Sequence, residues 1–149
     1  MIVAIALIIS ASLMVTKLSS EIGKGQFKEG TYIHIDSIEM AFYKTDANVD
    51  IEYHLSPFAQ AYIFFFGSKN LEPKIREICA EFNVAKIQKI GLNNASLTLT
   101  NTSKLNGQYY LHDSMKFGIS PDILTIFFPD GNSRIYRNPL SVPYLFYSQ

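Results

Sequence analysis

The chain of 149 residues has one cysteine and no tryptophan, and only 17% of its residues are charged. A single cysteine excludes a disulfide framework within the chain and any cysteine-based zinc cluster. Neither sign of charge is in excess. Thirteen basic and thirteen acidic side chains cancel, so the sequence carries no electrostatic footprint for nucleic-acid binding. Catalytic motifs are missing too. There is no G-x-S-x-G elbow and no Walker sequence, and Gly23-Lys24-Gly25 opens no helix after a strand. Cys79 stands beside Ile78 and Phe82 on an apolar helix stripe, a setting for a small buried hydrophobe rather than a thiolate nucleophile. Asp122 and Asp130 resemble a carboxylate pair only in composition. Asp130 belongs to the turn Pro129-Asp130-Gly131-Asn132, and Asp122 is a polar residue after Pro121. A non-enzymatic chain without a cofactor is expected, and a hydrolase with scattered residues is the remaining enzymatic reading.

Apolar residues make up 48% of the chain, enough to bury a core and offset chain entropy. Residues 1–16 contain no charge, and Ser10, Ser12 and Thr16 are their only polar groups. As a helix, 16–20 residues reach about 24–30 Å, the thickness of a bilayer's hydrocarbon. Segment 1–20 is therefore expected to be a transmembrane anchor or signal segment, the route by which the chain meets a membrane. No basic residue precedes the apolar run, which favours an uncleaved anchor over a cleaved signal. Lys17, Lys24 and Lys28 follow it and would hold the remainder in the cytoplasm. Two sequons, Asn94-Ala95-Ser96 and Asn101-Thr102-Ser103, argue for the other side. The expectation is an extracytoplasmic domain on a single-pass anchor. Gly23, Gly25 and Gly30 mark 21–30 as a flexible tether, leaving 31–149 as a β-rich globular domain.

Within that domain, Val49, Ile51, Tyr53 and Leu55 alternate with Asp50, Glu52 and His54, the period of a strand wet on one face. Ile38, Met40 and Phe42 alternate upstream. A turn at Ala47-Asn48 would pair Phe42 with Tyr53 and Met40 with Leu55. Ile33 and Ile35 have the opposite parity, so a bulge near Asp36-Ser37 is needed to restore the face. Residues 61–66 (AYIFFF) read as a central strand. Residues 71–82 read as a helix, capped by Asn70, with Leu71, Ile75, Ile78 and Phe82 inward, Glu72 paired with Arg76 and Asn83 closing it in the left-handed conformation. From residue 85 onward the pattern is short strands, with a hairpin closed by 129–132 and an edge strand over 142–147 between prolines. The fold expected is α+β and β-rich: an antiparallel sheet with one packed helix, or a sandwich with a helical insertion.

Two groups of residues carry candidate chemistry. His34 lies two residues from Asp36 and His54 two from Glu52, so each pair shares a strand face. His34, His54 and His112 together are a candidate metal or small-ligand site, in a domain either secreted or tethered to a membrane. In the C-terminal third, Arg134, Tyr136, Arg137, Tyr144, Phe146 and Tyr147 gather the residue types enriched at protein interfaces. The layout of anchor, tether and compact domain suggests a membrane-anchored, non-enzymatic interaction or envelope-assembly module. A protein partner would be met at this aromatic region or by strand addition at a sheet edge.

Overall fold

The computed structural model describes residues 31–148, so the expected anchor and tether in 1–30 lie outside the described residues. The chain enters as a long hairpin of β1 (Ile33–Tyr43) and β2 (Asp46–Leu55). Alternation dictates its faces: Ile33, Ile35, Ile38, Met40 and Phe42 point inward with Ala47, Val49, Ile51, Tyr53 and Leu55. The parity change in β1 is absorbed by a register shift between Ile35 and Ser37, the bulge that the sequence requires. The turn, however, falls at Lys44-Thr45 rather than Ala47-Asn48. Phe42 faces Ala47, Met40 faces Val49 and Ile35 faces Tyr53. Lys44 turns the chain with φ 54°. The partners of Phe42 and Met40 each shift by six residues, an even number, so the change preserves the inward set while altering every pair.

Residues 61–66 are helical, not a strand. They form the second half of α1 (Pro57–Phe66). Ser56 caps its start, its hydroxyl accepting from the Ala59 N–H at 3.3 Å, and Pro57 occupies the first turn, where its fixed φ suits a helix. Gly67 ends it at φ 88°, donating its N–H to the Ile63 carbonyl at 2.8 Å. A 3₁₀ turn, Ser68–Leu71, leads into α2 (Glu72–Ile78), shorter than the expected 71–82. Asn70 does not cap α2. Its amide donates backward to the Phe66 and Gly67 carbonyls. Asn83 is not among the residues with positive φ. The apolar stripe holds nonetheless: Leu71, Ile75, Ile78, Cys79 and Phe82 are all buried, and Glu72 pairs with Arg76 at 2.9 Å.

The remaining chain gives β3 (Val84–Ile90), β4 (Asn94–Leu99), β5 (Ser103–Asn106), β6 (Tyr109–His112), β7 (Met115–Lys116), β8 (Ile123–Phe127), β9 (Ser133–Arg137), β10 (Ser141–Val142) and β11 (Leu145–Tyr147). Six strands form one sheet in the order β3-β4-β2-β1-β8-β9. The β1–β8 pair is parallel, with Ser37 beside Ile123 and Ala41 beside Phe127, so the sheet is mixed rather than antiparallel. Among the described residues the fold is α+β and β-rich, with two short helices. The β8–β9 hairpin closes through 129–132, where Gly131 takes φ 85° and Asn132 donates its N–H to Asp130 Oδ1 at 2.9 Å. The inner sheet face buries against α2, Phe82, Phe117 and the small sheet β11-β6-β5. Gly118 donates to the Ile78 carbonyl at 3.0 Å. A Cβ there would collide with the Glu77 carbonyl oxygen, so only glycine lets this segment close the end of α2.

Candidate functional site

The outer face of the hairpin brings together side chains that are far apart in sequence. The true register sets His34 opposite His54, with ring centroids 4.8 Å apart. His54 Nδ1 donates to Asp36 Oδ1 at 2.7 Å, and His34 Nε2 donates to Asp122 Oδ2 at 2.9 Å. Asp36 sits at the bulge, where one extra residue leaves both Asp36 and Ser37 turned away from the core. Asp122, just before β8, is fixed through its backbone. Its N–H donates to the Ile35 carbonyl at 3.1 Å, and its carbonyl accepts from Asn138 at 2.7 Å. Glu52 lies outside this group and accepts from the Ser37 hydroxyl at 3.2 Å.

His112 is placed elsewhere. It lies on β6, buried, with Nδ1 donating to the Thr102 carbonyl at 2.6 Å. Phe42 meets its ring edge-on at 4.9 Å and Phe82 stacks on it at 6.4 Å. Burial lowers its pKa below the ordinary 6.5 despite the Thr102 hydrogen bond and nearby Asp113. It is a neutral core histidine, not a member of the His34–His54 cluster. Cys79 is buried as its stripe position implies, and desolvation pushes its thiol up to about 12.

The aromatic C-terminal third divides by strand parity. Tyr147 is a core residue, its hydroxyl donating to the Lys44 carbonyl at 2.7 Å and meeting the Ser103 hydroxyl at 2.8 Å. Tyr136 is half-buried, whereas Arg134, Arg137, Tyr144 and Phe146 are exposed. Arg134 lies over the Phe128 ring at 5.2 Å and lines an open groove with Tyr109, Asp130, Asn132 and Phe146. The Asp130 carboxyl is held below the usual range by the Asn132 N–H. Among the described residues β9 is a free sheet edge, and it pairs with β8 over five residues without interruption. The opposite edge, β3, carries two register shifts and two exposed lysines, Lys86 and Lys89, the devices that blunt an edge.

The surface that sequence reasoning missed is α1. Its buried residues are Ala59 and Ile63 alone, while Phe58, Phe64, Phe65 and Phe66 are 82%, 77%, 77% and 66% exposed and Tyr62 is 46% exposed. No charged residue occurs between His54 and Lys69. Tyr62 packs on Phe66 at 4.7 Å, and Phe64 meets Phe65 edge-on at 5.5 Å. The helix starts beside the point where the chain arrives from residues 1–30: the Ser56 N–H donates to the Tyr32 carbonyl at 2.9 Å. The signal available in the sequence was Ser56-Pro57 followed ten residues on by Gly67, a helix start and stop. Among the described residues no helix is long and apolar enough to cross a membrane. Family models, curated proteins and solved structures were each compared with the chain, and none matches it.

Proposed function

We propose that this chain is a membrane-anchored, non-enzymatic interaction module whose folded domain lies against the bilayer on its extracytoplasmic side. The observation that carries the reading is α1. A helix of ten residues is about 15 Å long, too short to span. One apolar side rich in Phe and Tyr suits a helix lying in the headgroup region. A ten-residue tether with an r.m.s. reach of about 18 Å would keep α1 at the surface into which segment 1–20 inserts. Exposed Lys69 next to the helix adds attraction for anionic lipid. The exposure of both sequon asparagines, Asn94 and Asn101, supports the extracytoplasmic side. A protein partner is received at the β9 edge by strand addition, with Arg134 and Phe146 in the groove beside it. The buried, protonated thiol of Cys79 supports a non-catalytic role.

The test uses the full chain in membranes, with a fluorescent label on Phe65→Cys. Cys79 is buried and leaves the introduced thiol as the reactive one. The expected result is resistance to carbonate extraction together with quenching of the label by lipid-borne nitroxides. Release by carbonate with an unquenched label overturns the reading. Retention with an unquenched label removes α1 from it and leaves the anchor alone.

A further inference from the structure

We propose that His34, Asp36 and Asp122 bind a divalent first-row transition metal ion of the zinc class, with His54 as the positioning residue behind Asp36. The inference stands on the sheet's outer face and does not rest on the membrane reading. One ligand atom from each of the three residues lies within 4.8 Å of the others. Ligands bound at 2.0–2.1 Å in tetrahedral or octahedral arrays stand about 2.8–3.4 Å apart. From His34 Nε2, the 2.9 Å to Asp122 Oδ2 falls within that spacing and the 4.0 Å to Asp36 Oδ1 exceeds it, so a small rotation of the partly exposed Asp36 side chain closes the site.

The backbone supplies the preorganisation. His34 is held in β1 by its pairing with His54 of β2, Asp36 is turned outward by the bulge, and Asp122 is pinned by main-chain bonds on both sides. The donor set selects the ion. One imidazole and two carboxylates suit zinc, cobalt, manganese or iron(II), whereas magnesium and calcium favour all-oxygen shells. The His54–Asp36 hydrogen bond of 2.7 Å is the outer-shell contact that orients a ligating carboxylate. In the metal-free arrangement the Nε2 proton of His34 points at Asp122. Coordination requires Nε2 to give up that proton while Nδ1 carries the one proton of the neutral ring, and the cation then takes its place between nitrogen and carboxylate. All three ligand side chains are partly open to solvent, which provides an entry path and leaves coordination positions for water or a further ligand.

The experiment titrates chelator-treated full-length protein with Zn²⁺ by calorimetry and with Co²⁺ by NMR of the imidazole protons. The chain has three histidines, so each ring is separately followed. One Zn²⁺ per chain is expected, undisturbed by excess Mg²⁺ or Ca²⁺. His54→Ala should weaken binding by roughly 10–100-fold, and His34→Ala and Asp122→Asn should weaken it further. Co²⁺ should shift the His34 resonances strongly and leave His112 in place. No Zn²⁺ heat, or binding that survives His34→Ala, overturns the proposal. Should a variant fail to fold, the unmutated chain decides: a Co²⁺ titration that leaves His34 unshifted overturns it equally.

Discussion

α1 and α2 follow one another through a single 3₁₀ turn, yet they are built in opposite senses. α2 buries Ile75 and Ile78 completely and wears its charge outside, with Glu72–Arg76 and Lys74–Glu77 pairs at 2.9 and 2.7 Å. That is the division expected of a short helix held by tertiary packing, since seven residues cannot hold a helix alone. α1 buries only Ala59 and Ile63, turns five aromatic rings outward and has no charged residue. The domain's own core explains why α2 has its sequence. It leaves most of α1's sequence unexplained, and large aromatic rings kept on a surface point to a medium or partner beyond the domain.

The largest effect that sharpens this contrast is on α2. Ile75→Ala should cost about 2–5 kcal/mol, because Ile75 is fully buried between the helix and the sheet and its removal leaves a cavity. The midpoint of chemical unfolding reads it out. A loss below about 1 kcal/mol would show that the site collapses freely and that α2 is no better clamped than α1.

A smaller effect belongs to the cluster that α2 leads into, where Phe82 stacks on His112. Burial lowers the folded-state pKa of His112 below the ordinary 6.5. The unfolded chain therefore takes up a proton first as the pH falls. The stability contributed by neutral His112 is intact above about pH 6.5 and is lost progressively below it, with a limiting slope of about 1.4 kcal/mol per pH unit. His112→Gln keeps an amide donor for the Thr102 carbonyl but cannot titrate. Between pH 7 and 5 its stability should fall less steeply than that of the unmutated protein. Parallel curves for the two would show that His112 protonates in the folded state without penalty.

The same contrast explains which parts of the molecule were legible in the sequence. Period-two alternation exposed the hairpin's inward residues and the need for a bulge, because a face change leaves a parity mark. It could not choose between a turn at Ala47-Asn48 and one at Lys44-Thr45, since both preserve parity. That choice decides whether His54 faces Ala41 or His34, so half of the His–Asp cluster was hidden behind it. Asp122 was hidden for another reason. It joins His34 across 88 positions, through a parallel β1–β8 pairing that leaves no local trace. His112 and Tyr147 looked like surface candidates because their residue types suit binding, but their strand positions face the core. For 61–66, aromatic and β-branched content masked the capping signals at Ser56, Pro57 and Gly67, which set the backbone.

The smallest expected change in stability is also the sharpest test of the contrast. In the triple variant Phe64→Ser, Phe65→Ser, Phe66→Ser, every substituted ring is more than 60% exposed, the least being Phe66 at 66%. Ala59 and Ile63, the capping hydroxyl of Ser56 and the Gly67 stop all remain. Serine has a somewhat lower helix propensity than the best formers, but surface substitutions away from caps and core usually stay within about 0.5 kcal/mol each. Unfolding of the full chain in detergent should therefore move by no more than about 1.5 kcal/mol for the three together, below the loss expected for Ile75→Ala alone. The corresponding change at the membrane should be large: nitroxide quenching of a label placed at Phe58→Cys in the same helix should fall toward that of a label on Ser133→Cys in β9, the sheet edge opposite β3, which Ser68 joins. A stability loss as large as that of Ile75→Ala would mean that the rings clasp the domain after all. α1 would then be a second α2, and its aromatics would need no membrane to explain them.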